Sequence, residues 1–326
     1  MILCCGEALI DFVPLPGVRA YGPYPGGSVF NIAVGLGRLE APVSYFCRLS
    51  TDYFGDMLLG TLVENGVDTA LCPRSDDPTT LAFVSLPGDE GEEPRYMFYA
   101  NGSADRLLTA AMLPTLATEI KALHFGSISL VMEPGATALE TMMQRESGRR
   151  VISLDPNVRP GVIDDREAYR RRFERWLGRV DILRLSTVDF DFLYPGQPLE
   201  PIIARWFEMG LSLCIVTKGA DGAQGITANG VTAESAAPKV TVADTVGAGD
   251  TFLAAALAYL AQEELLYQRE KLRELTAEQL GACLAYAGRA AAINCSRQGA
   301  NPPYKHELVL AKAGNGEHRC LIRHPN

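Results

Sequence analysis

One stretch of this chain is suited to holding an anion. Asp244, Thr245, Val246, Gly247, Ala248, Gly249, Asp250, Thr251 and Phe252 run directly into an amphipathic segment. Small residues at 247–249 let backbone N–H groups converge on one point, and a helix N-terminus adds positive potential. Asp250 then falls in the first helical turn. An Asp there also serves as a simple helix cap. Beside an anion cradle, however, it sets a carboxylate next to a developing phosphoryl charge, and phosphoryl transfer depends on positioning and charge stabilisation of this kind. An alcohol is a poor nucleophile, so a carboxylate within hydrogen-bond reach is an economical activator.

Other residues could hold the rest of a reacting pair. Asp11 lies in an apolar run near the N-terminus, and Asn31 follows the Gly26–Gly27 pair at the start of a helical pattern. Together they offer both hydrogen-bond acceptors and donors to a polar ligand. Arg159 carries a guanidinium fork suited to phosphate oxygens. Each has a plainer reading: Asp11 as a solubility charge on an edge strand, Asn31 as a helix cap, Arg159 as a solvated loop cation. Gly26–Gly27 reads as a turn or as a place of close backbone approach to a ligand. Lys218–Gly219 reads equally as a strand-ending turn. The Walker P-loop, the dinucleotide fingerprint Gly-x-Gly-x-x-Gly and the hydrolase elbow Gly-x-Ser-x-Gly are all absent from the sequence.

The elements that must position these groups follow from periodicity. Residues 1–13 are predicted as one buried strand and 15–27 as turns or a short hairpin. Residues 28–39 read as a helix, 43–49 as a strand, and 53–65 as a helix stopped by Gly66. Strands at 80–86 and 95–99 flank the turn-rich 87–94, a hairpin candidate. From 105 onward strands (122–125, 151–155, 182–185, 213–217) alternate with helices (137–144, 166–177, 202–208). A small β region at 224–242 precedes the helix from 247 to 262, and a last helix spans 277–294. This rhythm predicts parallel strands covered by helices on both faces. The early hairpin pieces suggest a separate small β lid, giving a core of 1–12, 26–78 and 106–311, a lid of 13–25 and 79–105, and a loose tail at 312–326.

Composition narrows the function. The chain has 326 residues, 47% hydrophobic and 21% charged, with a net charge of −9. That is ordinary globular composition. An acidic chain with no basic block is poorly suited to nucleic acid or to an anionic membrane. The eight cysteines form no Cys-x-x-Cys pair, and the four histidines show no ligand spacing. His124 reads as a core or rim residue. No basic leader opens the chain, and the longest apolar run, 252–261, is far short of the roughly 20 residues of a membrane span. The expectation is a cytoplasmic protein.

The segment Asp244–Phe252 resembles the C-terminal signature of the PfkB/ribokinase family of sugar kinases. Gly26, Gly27, Ser28, Val29, Phe30, Asn31, Ile32 and Ala33, followed by Leu36, Gly37, Arg38 and Leu39, resemble its N-terminal signature. The resemblance covers roughly residues 1–305. It extends toward bacterial fructokinases through Gly6 to Asp11, Pro78 to Phe83, Phe98 and Tyr99, Ala104 to Arg106, and Leu154 to Pro160. The last stretch is also similar to 2-keto-3-deoxygluconate kinases.

The resemblance implies a ribokinase-like three-layer α/β/α core with a small β-sheet lid. It implies transfer of a phosphoryl group from ATP, with Mg²⁺, to the 6-hydroxyl of D-fructose. Asp250 would be the base, and Gly247, Ala248 and Gly249 would supply N–H groups. Asp11, Gly26, Gly27, Asn31 and Phe98 would face the sugar, and Arg159 the sugar or the phosphate in flight. Thr217, Lys218, Gly219 and Gly222 would line the nucleotide phosphates, with Asn294 and 240–242 near the adenine. Relatives place Asn-x-x-Glu where this chain has Ser186, Thr187, Val188 and Asp189, so a water-mediated Mg²⁺ role passes to Asp189. Arg184 stands where relatives carry Lys. A monovalent cation such as K⁺ would sit by Asp244, Val246, Asn294, Arg297 and Gly299, although a hydroxyl common in relatives is Pro303 here. Lids of this family pair between subunits, which implies a homodimer. A 2-keto-3-deoxygluconate kinase using Arg159 and Arg95, a ribokinase or nucleoside kinase, and a catalytically silent sugar or nucleotide sensor are the alternatives.

Overall fold

The computed structural model describes residues 1–15, 17–85 and 95–308. The expected turn at 87–94, the Arg95 side chain and the tail at 312–326 lie outside what is described.

Among the described residues, β1 (Ile2–Cys5), β2 (Leu9–Pro14) and β3 (Tyr21–Gly26) lead into α1 (Ser28–Arg38). β4 (Val43–Phe46), β5 (Leu49–Ser50), α2 (Tyr53–Glu64), β6 (Arg74–Ser75), β7 (Thr80–Ser85) and β8 (Arg95–Tyr99) follow. Next come β9 (Ala122–Gly126), α3 (Gly135–Glu146), β10 (Val151–Asp155), α4 (Arg166–Leu177), β11 (Ile182–Ser186), α5 (Thr187–Leu193), α6 (Leu199–Glu208) and β12 (Leu213–Thr217). The hairpin β13 (Ala223–Thr227) and β14 (Thr232–Ser235) precedes α7 (Ala248–Gln262), α8 (Arg269–Arg273) and α9 (Ala277–Cys295).

The large sheet has the order β14-β13-β12-β11-β10-β9-β1-β4. Its strands from β12 to β4 are parallel, and β13 and β14 are antiparallel. Period-two alternation sends Ile2 and Cys4 of β1 to one face, against Phe30, Leu36, Leu253 and Leu284. Leu3 and Cys5 go to the other, against Met142, Phe173, Trp176 and Trp206. A parallel sheet buried on both faces must carry apolar residues in both phases, and β1 does. His124, in β9, is fully buried, and burial pushes its pKa down to about 3. It is a core residue.

The single strand expected over 1–13 is two strands in two sheets. Gly6 marks the break, because a Cβ there would lie 2.5 Å from Val29 Cγ2. The Tyr45 hydroxyl donates to the Gly6 and Glu7 carbonyls (3.2 and 2.5 Å), so the backbone is held where it leaves the large sheet. β2 then joins β3, β7 and β8 in a four-stranded sheet of order β3-β2-β7-β8. The smaller sheet therefore begins at Leu9, and the boundary expected at residue 12 falls inside β2. α5 and α8 are elements the periodicity did not signal, being too short to show a face.

Two helices aim their N-termini at one place. A Cβ on Gly35 of α1 would lie 2.8 Å from the Ala254 Cβ of α7, so these helices approach as closely as small residues allow. Their first turns carry Ser28 and Asn31, and Asp250.

Candidate active site

Asp250 is buried, at 6% exposure, and its carboxylate is held from three sides. Ser28 Oγ donates to Oδ1 (2.7 Å), Asn157 Nδ2 donates to Oδ1 (3.1 Å), and Asn31 Nδ2 donates to Oδ2 (2.9 Å). Burial pushes its pKa up. The Asn31 and Ser28 bonds and the Arg159 and Arg184 charges pull it back. The carboxyl group is thus biased toward accepting a proton without being cut off from hydrogen-bonding partners.

The lid brings Asp11 over the same spot. Burial raises its pKa to about 7, Arg159 opposes that rise and Asp250 adds to it. Gly26 pairs with Leu9 across the β2–β3 ladder, and any Cβ there would collide with the Asp11 carboxylate. Gly27 has φ +109°, and a Cβ would sit 2.9 Å from the Glu7 carbonyl. Gly27 is required by its backbone conformation, and Gly26 by the room the Asp11 carboxylate takes. Phe98 lies on the inner lid face beside Tyr96, the rings stacked at 6.0 Å. The Arg159 guanidinium lies 6.0 Å from the Tyr96 ring centroid and donates to Asn157 Oδ1 (2.6 Å).

The nucleotide-side residues divide. Gly247, at φ +72°, closes on the last loop, where a Cβ would lie 2.6 Å from the Ala300 Cβ. Gly247 and Gly249 leave their N–H groups at the open first turn of α7. The Ala248 N–H, expected to do the same, instead donates to the Thr245 carbonyl (3.2 Å). Thr217 ends β12, and its hydroxyl accepts from Arg184 Nη2 (2.6 Å). Gly219 (φ +58°) and Gly222 (φ +98°) shape the turn after β12. The Lys218 side chain does not face that turn. It reaches Glu234 Oε1 (3.3 Å), because β14 lies antiparallel nearby and carries the opposite charge. Asn294 is fully buried rather than exposed to a nucleotide. Its Nδ2 donates to the Val246 carbonyl (2.8 Å), and its Oδ1 accepts from Thr251 Oγ1 (3.2 Å) and Asn301 N (2.8 Å). It staples the end of α9 to the glycine loop.

The metal expectations also divide. Asp189 Oδ1 accepts from Val158 N (2.8 Å), and Oδ2 accepts from Ser186 N (2.8 Å) and Ser186 Oγ (2.6 Å). The carboxylate is tied to the α5 capping box through Oδ2 and to the 155–159 turn through Oδ1, which keeps one acceptor site open. Among the described residues no group of three or more His, Cys, Asp or Glu could hold a metal. Mg²⁺ is commonly held by one or two carboxylates together with substrate phosphates, so it does not require such a group. Asp244 accepts from Val246 N (3.0 Å) and Gly299 N (2.9 Å), one bond per oxygen. Its spare lone pairs are of the hard oxygen type that suits a monovalent ion. Asn294 can add only its carbonyl there, since its amide is fully engaged. The Arg297 guanidinium turns away to Glu307.

Four residues escaped the sequence reading. Ser28 and Asn157 touch Asp250 directly, and Tyr96 faces Arg159. The alternation of β8 was the available signal for Tyr96, two residues from Phe98. Glu7, 2% exposed, accepts from Ser28 N (2.8 Å), and burial raises its pKa to about 7. Arg184, noted only as a substitution, is a buried hub. It bonds Asp155 Oδ2 (2.8 Å) and Thr217, and a Cβ on Gly249 would lie 2.8 Å from its guanidinium nitrogens.

Comparison with known proteins accords with this geometry. The chain is 43% identical over 274 residues to a fructokinase of Rhizobium leguminosarum bv. trifolii, covering 83% of this chain and 82% of that one. It is 32% identical over 322 residues to fructokinase-1 of Oryza sativa subsp. japonica, covering 96% and 97%. The crystal structure of a Xylella fastidiosa fructokinase with bound ATP superimposes with a TM-score of 0.86 at 28% identity, over 96% of this chain and 98% of that one. A Vibrio cholerae O395 fructokinase solved with fructose, ADP and a calcium ion superimposes with a TM-score of 0.81 at 25% identity, over 95% and 97%. The pfkB family carbohydrate kinase pattern matches residues 1–307. With both signature segments meeting at one buried carboxylate, the chain belongs to the pfkB family of carbohydrate kinases.

Proposed function

We infer that this kinase transfers the γ-phosphoryl group of ATP to the 6-hydroxyl of D-fructose. The observation that carries the reading is the buried Asp250 carboxylate at the head of α7, beside the open N–H groups of Gly247 and Gly249 and beneath Asp11 of the lid. The fructokinases of Rhizobium and rice and the Vibrio enzyme crystallised with fructose and ADP support the choice of sugar.

In this mechanism the sugar lies under the lid, between Asp11 and Asn31. Asp250 takes the proton of the primary hydroxyl, and the freed oxygen attacks the γ-phosphorus. The glycine loop and the α7 N-terminus receive the migrating charge. MgATP lies along Thr217, Gly219, Gly222 and the glycine loop. The exposed Val240 and Val242 offer apolar cover to the purine. A monovalent cation at Asp244 would add fixed positive charge behind the loop. Lid closure would exclude water and limit ATP hydrolysis. Seven free thiols among the described residues support a reducing, cytoplasmic setting.

A coupled ADP-release assay over fructose, 2-keto-3-deoxygluconate, ribose, adenosine and aminoimidazole riboside tests the substrate. Highest kcat/KM on fructose is expected, and a clear preference for the sugar acid or a nucleoside would replace the reading. Asp250→Asn is expected to bind ATP and sugar within a few-fold of wild type while turnover drops about 100- to 10,000-fold. Near-normal turnover in that variant refutes the base assignment.

A further inference from the structure

The two oxygens of Asp250 are not equivalent. Oδ1 accepts two donors, Ser28 Oγ and Asn157 Nδ2, and Oδ2 accepts only Asn31 Nδ2. A carboxylate oxygen has two acceptor sites, so Oδ1 is filled and Oδ2 keeps one open. The donors on Oδ1 are themselves tied together, since Asn157 Nδ2 also donates to Ser28 Oγ (2.7 Å). Each is anchored from outside the site. Glu7 Oε1 receives the Ser28 N–H (2.8 Å), and Asp155 Oδ1 receives the Asn157 N–H (3.0 Å). Asn157 has φ +35°, a left-handed backbone that aims its amide inward and that asparagine tolerates better than most residues.

We propose that Ser28 and Asn157 are positioning residues that commit Oδ1 of Asp250 and leave Oδ2 as the oxygen that receives the substrate's proton. The inference rests on Asp250 being the base. The step balances without a further reagent. The sugar O–H bond breaks and its proton passes to Oδ2, the sugar oxygen forms a bond to the γ-phosphorus, and the P–O bond to ADP breaks with its electron pair going to ADP. Ser28 and Asn157 exchange no proton with substrate. They fix the carboxylate plane and favour its charged form. The charged and titratable groups around Asp250 are Arg159 and Arg184, whose charges lower its pKa, and Asp11, Glu7, Asp155 and Tyr96, whose ionised forms interact with it unfavourably.

Steady-state kinetics across pH on Ser28→Ala, Ser28→Thr, Asn157→Gly and Asp250→Asn test this. Glycine keeps the left-handed backbone at 157 while deleting the amide. Loss of a hydrogen bond to a charged group predicts a kcat about tenfold lower in Ser28→Ala and Asn157→Gly, with KM for both substrates within about twofold. The acid limb of kcat/KM moves to higher pH, because the charged form of Asp250 has lost a donor. Ser28→Thr retains the hydroxyl and is expected to restore both the rate and the limb. Wild-type kcat with an unmoved limb in both deletion variants overturns the proposal. So does a loss that Ser28→Thr shares, or a loss that tracks a fall in Tm without a pH shift. If Asp250→Asn is itself active, the base assignment fails instead, which separates the two outcomes.

Discussion

Buried carboxylates near neutrality mark this site at the scale of single residues. Burial raises Asp11 and Glu7 to about 7 and Asp155 to about 6. An exposed carboxylate titrates near 4, so the folded chain holds protons that the unfolded chain releases. Stability then falls as pH rises from about 4 through 7, and the cost of the charged groups remains in full above that window. In the proposed mechanism, that cost at Asp11 secures a charged acceptor for sugar hydroxyls. Asp11→Asn is therefore expected to raise Tm at pH 8, with the gain fading toward pH 5, while KM for the sugar rises about tenfold or more. Thermal unfolding at the two pH values, paired with sugar titrations, checks this. An unchanged KM would remove Asp11 from the sugar site.

Arg184 shows how elements are tied together. β10, β11 and β12 run parallel, so Asp155, Ser186 and Thr217 end on one edge of the sheet, where α/β folds place ligands. From β11 the Arg184 guanidinium spans the strands on either side and packs under Gly249 of α7. Removing one member of a buried pair leaves the other charge uncompensated, a loss of about 3–5 kcal/mol. Arg184→Met is expected to lower Tm sharply at pH 8. The deficit should narrow at pH 5, since Asp155, already raised to about 6, takes up a proton there. Equal deficits at both pH values would place the damage in packing instead. The sequence exposed the strands and the Arg. It could not expose the pairing, because the three partners lie on different elements.

At the scale of the whole molecule, the lid has two unlike faces. Asp11, Tyr96 and Phe98 look toward the site. The outer face carries the Phe12–Phe83 stack (4.9 Å) with Tyr21, Met97 and Tyr99 about half exposed. A contiguous apolar face of this kind marks an interaction surface, and it fits the pairing of two copies through their lids that the sequence resemblance implies. Light scattering is expected to give the mass of a dimer, and Met97→Lys combined with Tyr99→Asp to give a monomer. A monomeric wild type at assay concentration would refute the pairing.

The sequence by itself determined the elements and the chemistry on offer. The glycines at 26, 27, 247 and 249 mark places where a side chain would crowd its neighbours. The periods of α1, α4, α7 and β12 follow from local patterning, which needs no distant partner. Asp250 was legible because its cradle is contiguous in the chain. Tertiary structure alone decided where the long polar side chains went. It split 1–13 at Gly6, turned Lys218 to Glu234, tied Asp189 to Val158 and Asn294 to Val246, and brought Ser28 and Asn157 to one oxygen of Asp250. The contacts of Lys218, Asn294, Ser28 and Asn157 depend on hydrogen-bond partners far away in sequence, and a buried polar group takes whichever partner the packing sets before it.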